Sequence, residues 1–355
     1  MDRLAGRSIF SLGEHVFRWE DVVLAAYLWR EFPALERRVR EALACETRLQ
    51  EVGSPVSEDD VEAAASDWRY ERNLISADDT ESWLSARSLS VDEWLAYVRR
   101  AHARKRCEGA VVSIVKKHRP SPDDLASVIF ADAMCSGFVT DVTERLAGRV
   151  AIHARATSEG SASGKAPKAK LQAAVQRLPI AIRQRGLFEL GRTECVKRAE
   201  SIAMMDVVFD RFIARTTDTK ALGEEIGSHG LDWTRLDCQT LLFATEEPAR
   251  EAALLMREDH LPIAKAAKIA HSKAVPRQYV LEDTDPPLRD RLVVAQPGDL
   301  VGPVRLKDGF LVAAVRDRIE PSAGDQTIRD RARVRIAQRI VQGEVDERIR
   351  WHERF

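Results

Sequence analysis

The sequence predicts an α+β protein that is predominantly α, with a helical N-terminal region, a small α/β domain and a long C-terminal helix. Three observations predict this class. Serine-capped helix starts recur between residues 57 and 121, short β-type segments concentrate within 233–322, and a highly charged helical pattern fills 325–355. A chain of 355 residues also exceeds the usual size of a single core, so we expect more than one domain.

The N-terminal region begins with a predicted hairpin and continues as helices. Residues 8–12 and 15–17 flank the turn residues Gly13 and Glu14, and Trp19 opens an apolar helix. Four later helix starts combine a serine, whose hydroxyl can accept a first-turn N–H, with an acidic residue three positions on. These pairs are Ser57 with Asp60, Ser76 with Asp79, Ser90 with Glu93, and Ser121 with Asp124. We therefore predict a helical domain over residues 1–156.

A polar segment follows this domain. Residues 157–170 contain no aromatic and no β-branched aliphatic residue, which predicts a flexible linker. A helical connector is predicted over 171–232. Within it, an apolar stripe at helical spacing is typical of a core-facing helix. The stripe comprises Ile202, Met205, Val208, Phe209 and Phe212.

The pattern changes at Trp233, and we predict an α/β domain over 233–322. A strand at 241–243 precedes an alanine-rich helix, another strand follows at 279–281, and a hairpin turns across Lys307, Asp308 and Gly309. Residues 323–355 form the predicted C-terminal helix. Its apolar stripe, which comprises Ile328, Ala332, Ile336 and Ile340, predicts that one face of the helix is buried.

Composition and charge exclude several classes of protein. Lys+Arg 55 against Asp+Glu 56 gives a net charge of −1, so we expect no nucleic-acid partner. The longest early apolar run, 22–29, is too short for a membrane span or a secretory leader. Five separated cysteines without a CxxC pair favour a reducing compartment. We expect a cytoplasmic protein without a membrane partner.

Common catalytic and cofactor motifs are absent, and the eight histidines never pair at helical i,i+3 or i,i+4 spacing, so we expect no cofactor and no metal. Cys135, flanked by small residues, allows two interpretations. As a nucleophile it would need a neighbouring base and a lowered pKa. The favoured interpretation is a buried residue on a tightly packed helix.

A basic segment at 99–119 also allows two interpretations. A solvated helix face is favoured, and attraction of an acidic peptide is the alternative. The cations chosen as a candidate basic patch are Arg99, Arg100, Arg104, Lys105, Arg106, Lys116 and Lys117.

The segment 239–318 carries a family resemblance. Its opening, 240–249, reads Thr-Leu-Leu-Phe-Ala-Thr-Glu-Glu-Pro-Ala, and its closing part combines Gly298 to Val304 with Gly309 to Val312. These patterns resemble a parvulin-type peptidyl-prolyl isomerase domain. The flanking helical regions are similar to those of SurA-like foldases, and this resemblance implies that residues 323–355 pack on the N-terminal domain. The layout also resembles parvulin-related proteins of pathways that modify ribosomally made peptides.

The departures from the family pattern imply a degenerate member. The two strand histidines of the isomerases fall on Thr240 and Leu311, and residues 273–281 replace a glycine-rich turn. The resemblance therefore implies no catalytic residues and a surface that holds an extended peptide. The candidate peptide-binding residues are Thr240, Leu241, Phe243, Tyr279, Leu292, Phe310, Leu311 and Val312.

Three functions remain open from the sequence. The first is a non-catalytic, chaperone-like peptide-binding protein that assists maturation of a ribosomally made peptide. The alternative is an active prolyl isomerase that uses other polar residues, such as Asp237 or Cys238. The third is an enzyme that depends on Cys135 or a metal. The expected partner is a peptide or protein client, with a modifying enzyme and a second copy of the chain as further alternatives.

Overall fold

The computed structural model describes residues 2–161 and 192–353. Contacts divide the chain into an N-terminal unit, Met1–Phe212 with Ile340–Phe355, and a central unit, Ile213–Arg339. The sequence analysis placed its boundaries after residues 156, 170, 232 and 322. The difference arises because a unit boundary falls inside each of two continuous helices, Arg192–Thr216 and Gln326–Arg348.

Helices dominate the N-terminal unit. They are α1 (Trp19–Leu28), α2 (Phe32–Glu51), α3 (Glu58–Glu71), α4 (Ala77–Ala86), α5 (Val91–Arg106), α6 (Val111–Lys117), α7 (Pro122–Cys135), α8 (Phe138–Ser158) and α9 (Arg192–Thr216). The four predicted serine caps are confirmed, since each hydroxyl accepts the N–H of its acidic partner at 3.0–3.2 Å.

The predicted linker and the connector are described only in part. Helix α8 continues through Thr157 and Ser158, so the first two residues of the predicted linker are helical, and residues 162–170 lie outside the described residues. In the connector, residues 171–191 also lie outside them. The predicted stripe on α9 is buried at Ile202, Met205, Val208 and Phe212, and Phe209 is half-buried.

A three-stranded sheet joins distant parts of the N-terminal unit. Its strands are β1 (Ser8–Leu12), β2 (His15–Arg18) and β7 (Ile349–Trp351), in the order β2-β1-β7. The predicted hairpin is confirmed. The prediction of helix up to residue 355 is wrong, because helix α14 (Gln326–Arg348) ends where the chain pairs with β1, opposite Leu12, Ser11 and Phe10.

Helix α14 belongs to both units in turn. Up to Arg339 it lies in the central unit, where Arg331 and Arg335 pair with Glu282 and where Ala332 and Ile336 are buried. From Ile340 it lies in the N-terminal unit, and Val345 belongs to the core of that unit. The sequence analysis predicted that the whole C-terminal helix packs on the N-terminal domain. The ion pairs of its first half place that half elsewhere.

The central unit is built on a four-stranded antiparallel sheet. After α10 (Thr219–Ser228) come β3 (Arg235–Phe243), α11 (Glu246–Arg257), α12 (Ile263–Ile269), β4 (Val275–Val280), α13 (Pro286–Leu292), β5 (Leu300–Leu306) and β6 (Gly309–Ile319). The strand order is β4-β3-β6-β5. The predicted hairpin of β5 and β6 is confirmed, whereas β3 is longer than the three residues predicted. The described fold is α+β and predominantly helical.

Glycine is required at the β5–β6 hairpin. Gly309 has φ +135°, and a Cβ built there would overlap the carbonyl oxygen of Phe243. Gly302, with φ +115°, would place a Cβ 2.5 Å from the carbonyl oxygen of Leu311. Both positions therefore exclude larger residues through close backbone approach.

Within the described ranges, no individual helix has the length and apolar character needed to cross a membrane. Helices α7 and α8 together meet these criteria of length and composition, but with a bend of 62° between them.

Candidate functional site

The central sheet separates two apolar clusters. On its first face, Leu241 and Phe243 of β3 and Val312 of β6 pack against alanines of α11 and against Ile263 of α12. Phe310 lies half-buried beside this cluster. Strand alternation predicts that these side chains share one face, and the clustering confirms it.

The opposite face is also closed by the protein itself. Leu311 is 2% exposed and lies in a cluster with Leu288 and Leu292 of α13. The prediction that Leu311 lies on a peptide-binding surface is therefore wrong, because α13 places its leucines over this face. An apolar strand face next to an amphipathic helix is covered by that helix.

Thr240, like Leu311, occupies a position at which the parvulin-type isomerases carry a strand histidine. It is 3% exposed, and its Oγ1 donates a hydrogen bond of 3.0 Å to the carbonyl oxygen of Val275. Neither Thr240 nor Leu311 supplies an ionisable or outward-directed polar group. Of the eight candidate peptide-binding residues, six are buried, and only Tyr279 and Phe310 are half-buried.

Cys238 and Asp237 differ in what they can contribute to catalysis. The Cys238 side chain is buried, and burial together with the Asp237 carboxylate raises the pKa of its thiol to about 11. Asp237 is half-buried, with Oδ1 at 3.6 Å from Nε of Arg235. Since Cys238 remains a protonated, enclosed thiol at neutral pH, it does not provide a nucleophile.

Cys135 is enclosed in the N-terminal unit. Burial raises the pKa of its thiol to about 12, and its carbonyl oxygen accepts hydrogen bonds from Nε1 of Trp68 and Nη2 of Arg72, each at 3.0 Å. The favoured interpretation of a buried packing residue agrees with this setting. Within residues 2–161 and 192–353, no cluster of three or more His, Cys, Asp or Glu side chains could hold a metal ion.

The candidate basic patch is neutralised only in part. Arg100 is buried in an ion pair with Asp132, Arg99 pairs with Glu58 at 2.7 Å, and Arg104 pairs with Glu41 at 2.9 Å; Arg106 donates to Ser54 and Pro55. Four cations of the patch remain exposed without an ion pair among the described residues: Lys105, Arg106, Lys116 and Lys117. The sequence could not reveal this because most partners come from other helices.

The sequence analysis missed a cleft beside β4, the strand at one edge of the sheet. Its volume is about 420 Å³, and its lining comprises Asp237, Cys238, Gln239, Pro276, Arg277, Gln278 and Arg316. Gln239 lies on the same face as Leu241 by strand alternation, at a place where α11 and α12 no longer cover the sheet. One sequence signal was present, since a proline within a strand indicates an edge position, as at Pro276.

Solved structures that match this chain include PrsA peptidyl-prolyl isomerases and a SurA-like chaperone. The chain is similar to proteins of the PrsA and SurA type. PrsA of Bacillus anthracis matches with 10% identity, covering 56% of this chain and 94% of that protein, at a TM-score of 0.27. PrsA of Bacillus cereus matches with 14% identity over 65% of this chain and 88% of that protein, at a TM-score of 0.31.

A SurA-like chaperone structure from Campylobacter jejuni matches with 14% identity, covering 51% of this chain and 78% of that chain, at a TM-score of 0.22. No protein-family model and no curated protein matches the sequence. The fold class given above follows from the elements and the sheet order, independently of these matches.

Proposed function

We propose that this protein is a non-catalytic, chaperone-like peptide-binding protein whose central unit is a degenerate parvulin-like domain. The observation that carries the proposal is the state of Thr240 and Leu311. Both side chains are buried. The Thr240 hydroxyl donates a hydrogen bond to a main-chain carbonyl oxygen, and the Leu311 side chain is apolar.

Prolyl isomerisation has a barrier of about 18–20 kcal/mol, and lowering it requires polar groups that face the twisted peptide bond. Here the corresponding face of the sheet is occupied by Leu288, Leu292 and Leu311. The alternative function, isomerase activity through Cys238, is disfavoured by the burial and the raised pKa of its thiol.

Binding without catalysis requires surface that the protein leaves uncovered. Leu242 and Val275, close together on the end of the sheet beyond Thr240, are exposed to 44% and 39%. The client that we propose is a ribosomally made peptide during its modification in the cytoplasm, and the overall layout of the sequence supports it.

Two assays on the full chain test this proposal. A proline-containing tetrapeptide should isomerise at the uncatalysed rate, and reduced, carboxymethylated α-lactalbumin, which stays unfolded, should bind. Acceleration well above background would contradict the non-catalytic part. A lack of binding to the unfolded protein would contradict the chaperone-like part.

A Leu311→His variant tests whether position 311 is a buried packing position or one where a histidine can restore isomerase activity. We expect no isomerase activity and a loss of about 3 kcal/mol in the free energy of unfolding, because a polar ring would enter an apolar cluster. Urea unfolding measures the loss. The matched control is Val294→His, at a position 74% exposed in the same unit, which should change stability by less than about 0.5 kcal/mol.

A further inference from the structure

Strand β4 ends the central sheet, with β3 as its only neighbour among the described strands. Leu281, one residue beyond β4, donates its N–H to the carbonyl oxygen of Thr234 at 3.1 Å. Bonded and non-bonded pairs alternate in an antiparallel ladder, so the register with β3 fixes which residues of β4 direct their main-chain groups outward. These residues are Pro276, Gln278 and Val280, and they form the free edge of the sheet.

The free edge lacks one donor and one acceptor. Pro276 has no N–H to donate. The carbonyl oxygen of Val280 is engaged, because it accepts a hydrogen bond of 2.7 Å from the Thr284 hydroxyl. The carbonyl oxygen of Pro276, both main-chain groups of Gln278 and the N–H of Val280 remain available, since within the described part of the chain no hydrogen bond uses them.

This pattern of available groups is complementary to itself. If a second copy lies antiparallel with Gln278 opposite Gln278, the two residues exchange N–H···O bonds as a bonded pair. The same register places Val280 of each copy opposite Pro276 of the other, so the Val280 N–H meets the Pro276 carbonyl oxygen. The missing N–H of Pro276 then faces the carbonyl oxygen that Thr284 engages. Every available group of the edge therefore finds a partner.

Registers shifted by two residues do not have this property. In one direction, the carbonyl oxygen of Gln278 faces Pro276, which has no N–H. In the other direction, the N–H of Gln278 faces the engaged carbonyl oxygen of Val280. The pairing centred on Gln278 is therefore the favoured one.

The side chains also match in this register. Residues paired across two strands lie on the same face, so the two Gln278 amides meet and can hydrogen-bond to each other. An apolar pair of Pro276 with Val280 lies on each side of them. On the opposite face, Arg277 of each copy lies opposite Tyr279 of the other, a cation beside an aromatic ring. No like charges are directly opposed, so the edge carries no electrostatic barrier of that kind.

We propose that two copies of this chain associate through their β4 strands, which pair antiparallel about a twofold axis at Gln278 and join two four-stranded sheets into one. The interface is isologous, since each copy contributes the same residues. Pro276, Arg277 and Gln278 are exposed, so no element of the described central unit covers them. The association goes beyond the proposed peptide binding and does not depend on it.

Sedimentation equilibrium on the full chain tests the association. The ladder is short and lies at the weak end of specific interfaces, so we expect a reversible monomer–dimer equilibrium with a dissociation constant on the order of 10 µM. A chain that stays monomeric at concentrations about tenfold above that value would overturn the proposal.

Charged substitutions at Gln278 test the register, because only a residue on the twofold axis faces its own copy. Gln278→Lys and Gln278→Glu should each oppose like charges and weaken self-association about fivefold. An equimolar mixture of the two variants should restore the dimer, since opposite charges then meet. Gln296→Lys and Gln296→Glu, at an exposed position of the same unit, are the matched controls and should leave self-association unchanged.

A proline at position 278 tests the main-chain pairing. Gln278→Pro removes the outward N–H without removing a bond to β3, so each dimer loses two hydrogen bonds and its dissociation constant should rise about thirtyfold. Gln278→Ala keeps that N–H and should change the dissociation constant less than about threefold. A dimer that is unaffected by both Gln278→Lys and Gln278→Pro would overturn the proposal, because its interface would then lie elsewhere.

Discussion

The two units of this protein are stabilised in different ways. The N-terminal unit has one continuous core, which includes the contacting rings of Trp68, Trp83 and Trp94 and encloses the ion pair of Arg100 with Asp132. The central unit has two small apolar clusters separated by a sheet. Buried charge is thus accommodated where many helices meet, whereas the thin layers around the sheet contain chiefly apolar residues.

The two units also differ in how their segments are distributed along the chain. The central unit is one continuous stretch, Ile213–Arg339, whereas the N-terminal unit needs the returning segment that begins at Ile340. Damage to that segment should therefore affect only one unit, and the following predictions exploit this difference.

A chain that ends at Arg348 should lose the most stability. It lacks β7, so β1 becomes an edge strand and Ile349 and Trp351 no longer contact the core, which we expect to cost about 5 kcal/mol or more. Calorimetry should show a lowered transition for the N-terminal unit. A matching loss in the central unit would contradict the division into two units.

Asp132→Asn should have the next largest effect. It leaves the guanidinium of Arg100 buried without its counter-charge, and we expect a loss of about 4 kcal/mol in the free energy of unfolding. Urea unfolding provides the measurement. Asp67→Asn, on the exposed side of α3, is the control and should be nearly neutral; equal effects would show that the buried pair contributes little.

Gly309→Ala tests the close packing of the central sheet. The added Cβ would overlap the Phe243 carbonyl oxygen at a left-handed φ, so we expect a loss of about 3 kcal/mol. Gly298→Ala has a similar positive φ but open space, so only the backbone penalty of about 1 kcal/mol should appear. If thermal unfolding shows the two losses to be equal, the backbone approach at Gly309 is not tight.

The smallest predicted effect depends on pH. Hydrogen bonding to Arg3 lowers the pKa of Glu93 from 4.5 to about 2, so the carboxylate stabilises the folded state above pH 4.5 and loses that contribution as the pH falls toward 2. Because Glu93 is partly exposed, we expect Glu93→Gln to cost about 1 kcal/mol at neutral pH and almost nothing near pH 2. Urea unfolding across this range should show the convergence, and Glu62→Gln should show no such trend.

Local features of this fold could be predicted from the sequence. The serine caps at residues 57, 76, 90 and 121 depend on contacts within one helical turn, and the alternation of Leu241, Leu242 and Phe243 depends on strand geometry alone. In each case the interacting groups are neighbours in the chain, so spacing suffices to predict them.

Long-range features could not be predicted in the same way. The pairing of β7 with β1 joins residues about 340 positions apart, and no local pattern at residues 349–351 indicates a strand. The burial of Leu311 depends on how α13 crosses the sheet, and the neutralisation of Arg99 depends on Glu58 of another helix. For this reason the covering of Leu311 and the partial neutralisation of the basic patch could not be predicted.

The pairing of β1 with β7 also has a consequence for synthesis on the ribosome. At about 5–20 residues per second, the hairpin of β1 and β2 emerges tens of seconds before its third strand exists. During that interval β1 lacks the strand β7 that pairs with it from Phe10 to Leu12. The central unit, by contrast, is formed by one continuous stretch of the chain. The central unit can therefore complete its sheet during translation, and the first strands made are among the last to gain their full set of neighbours.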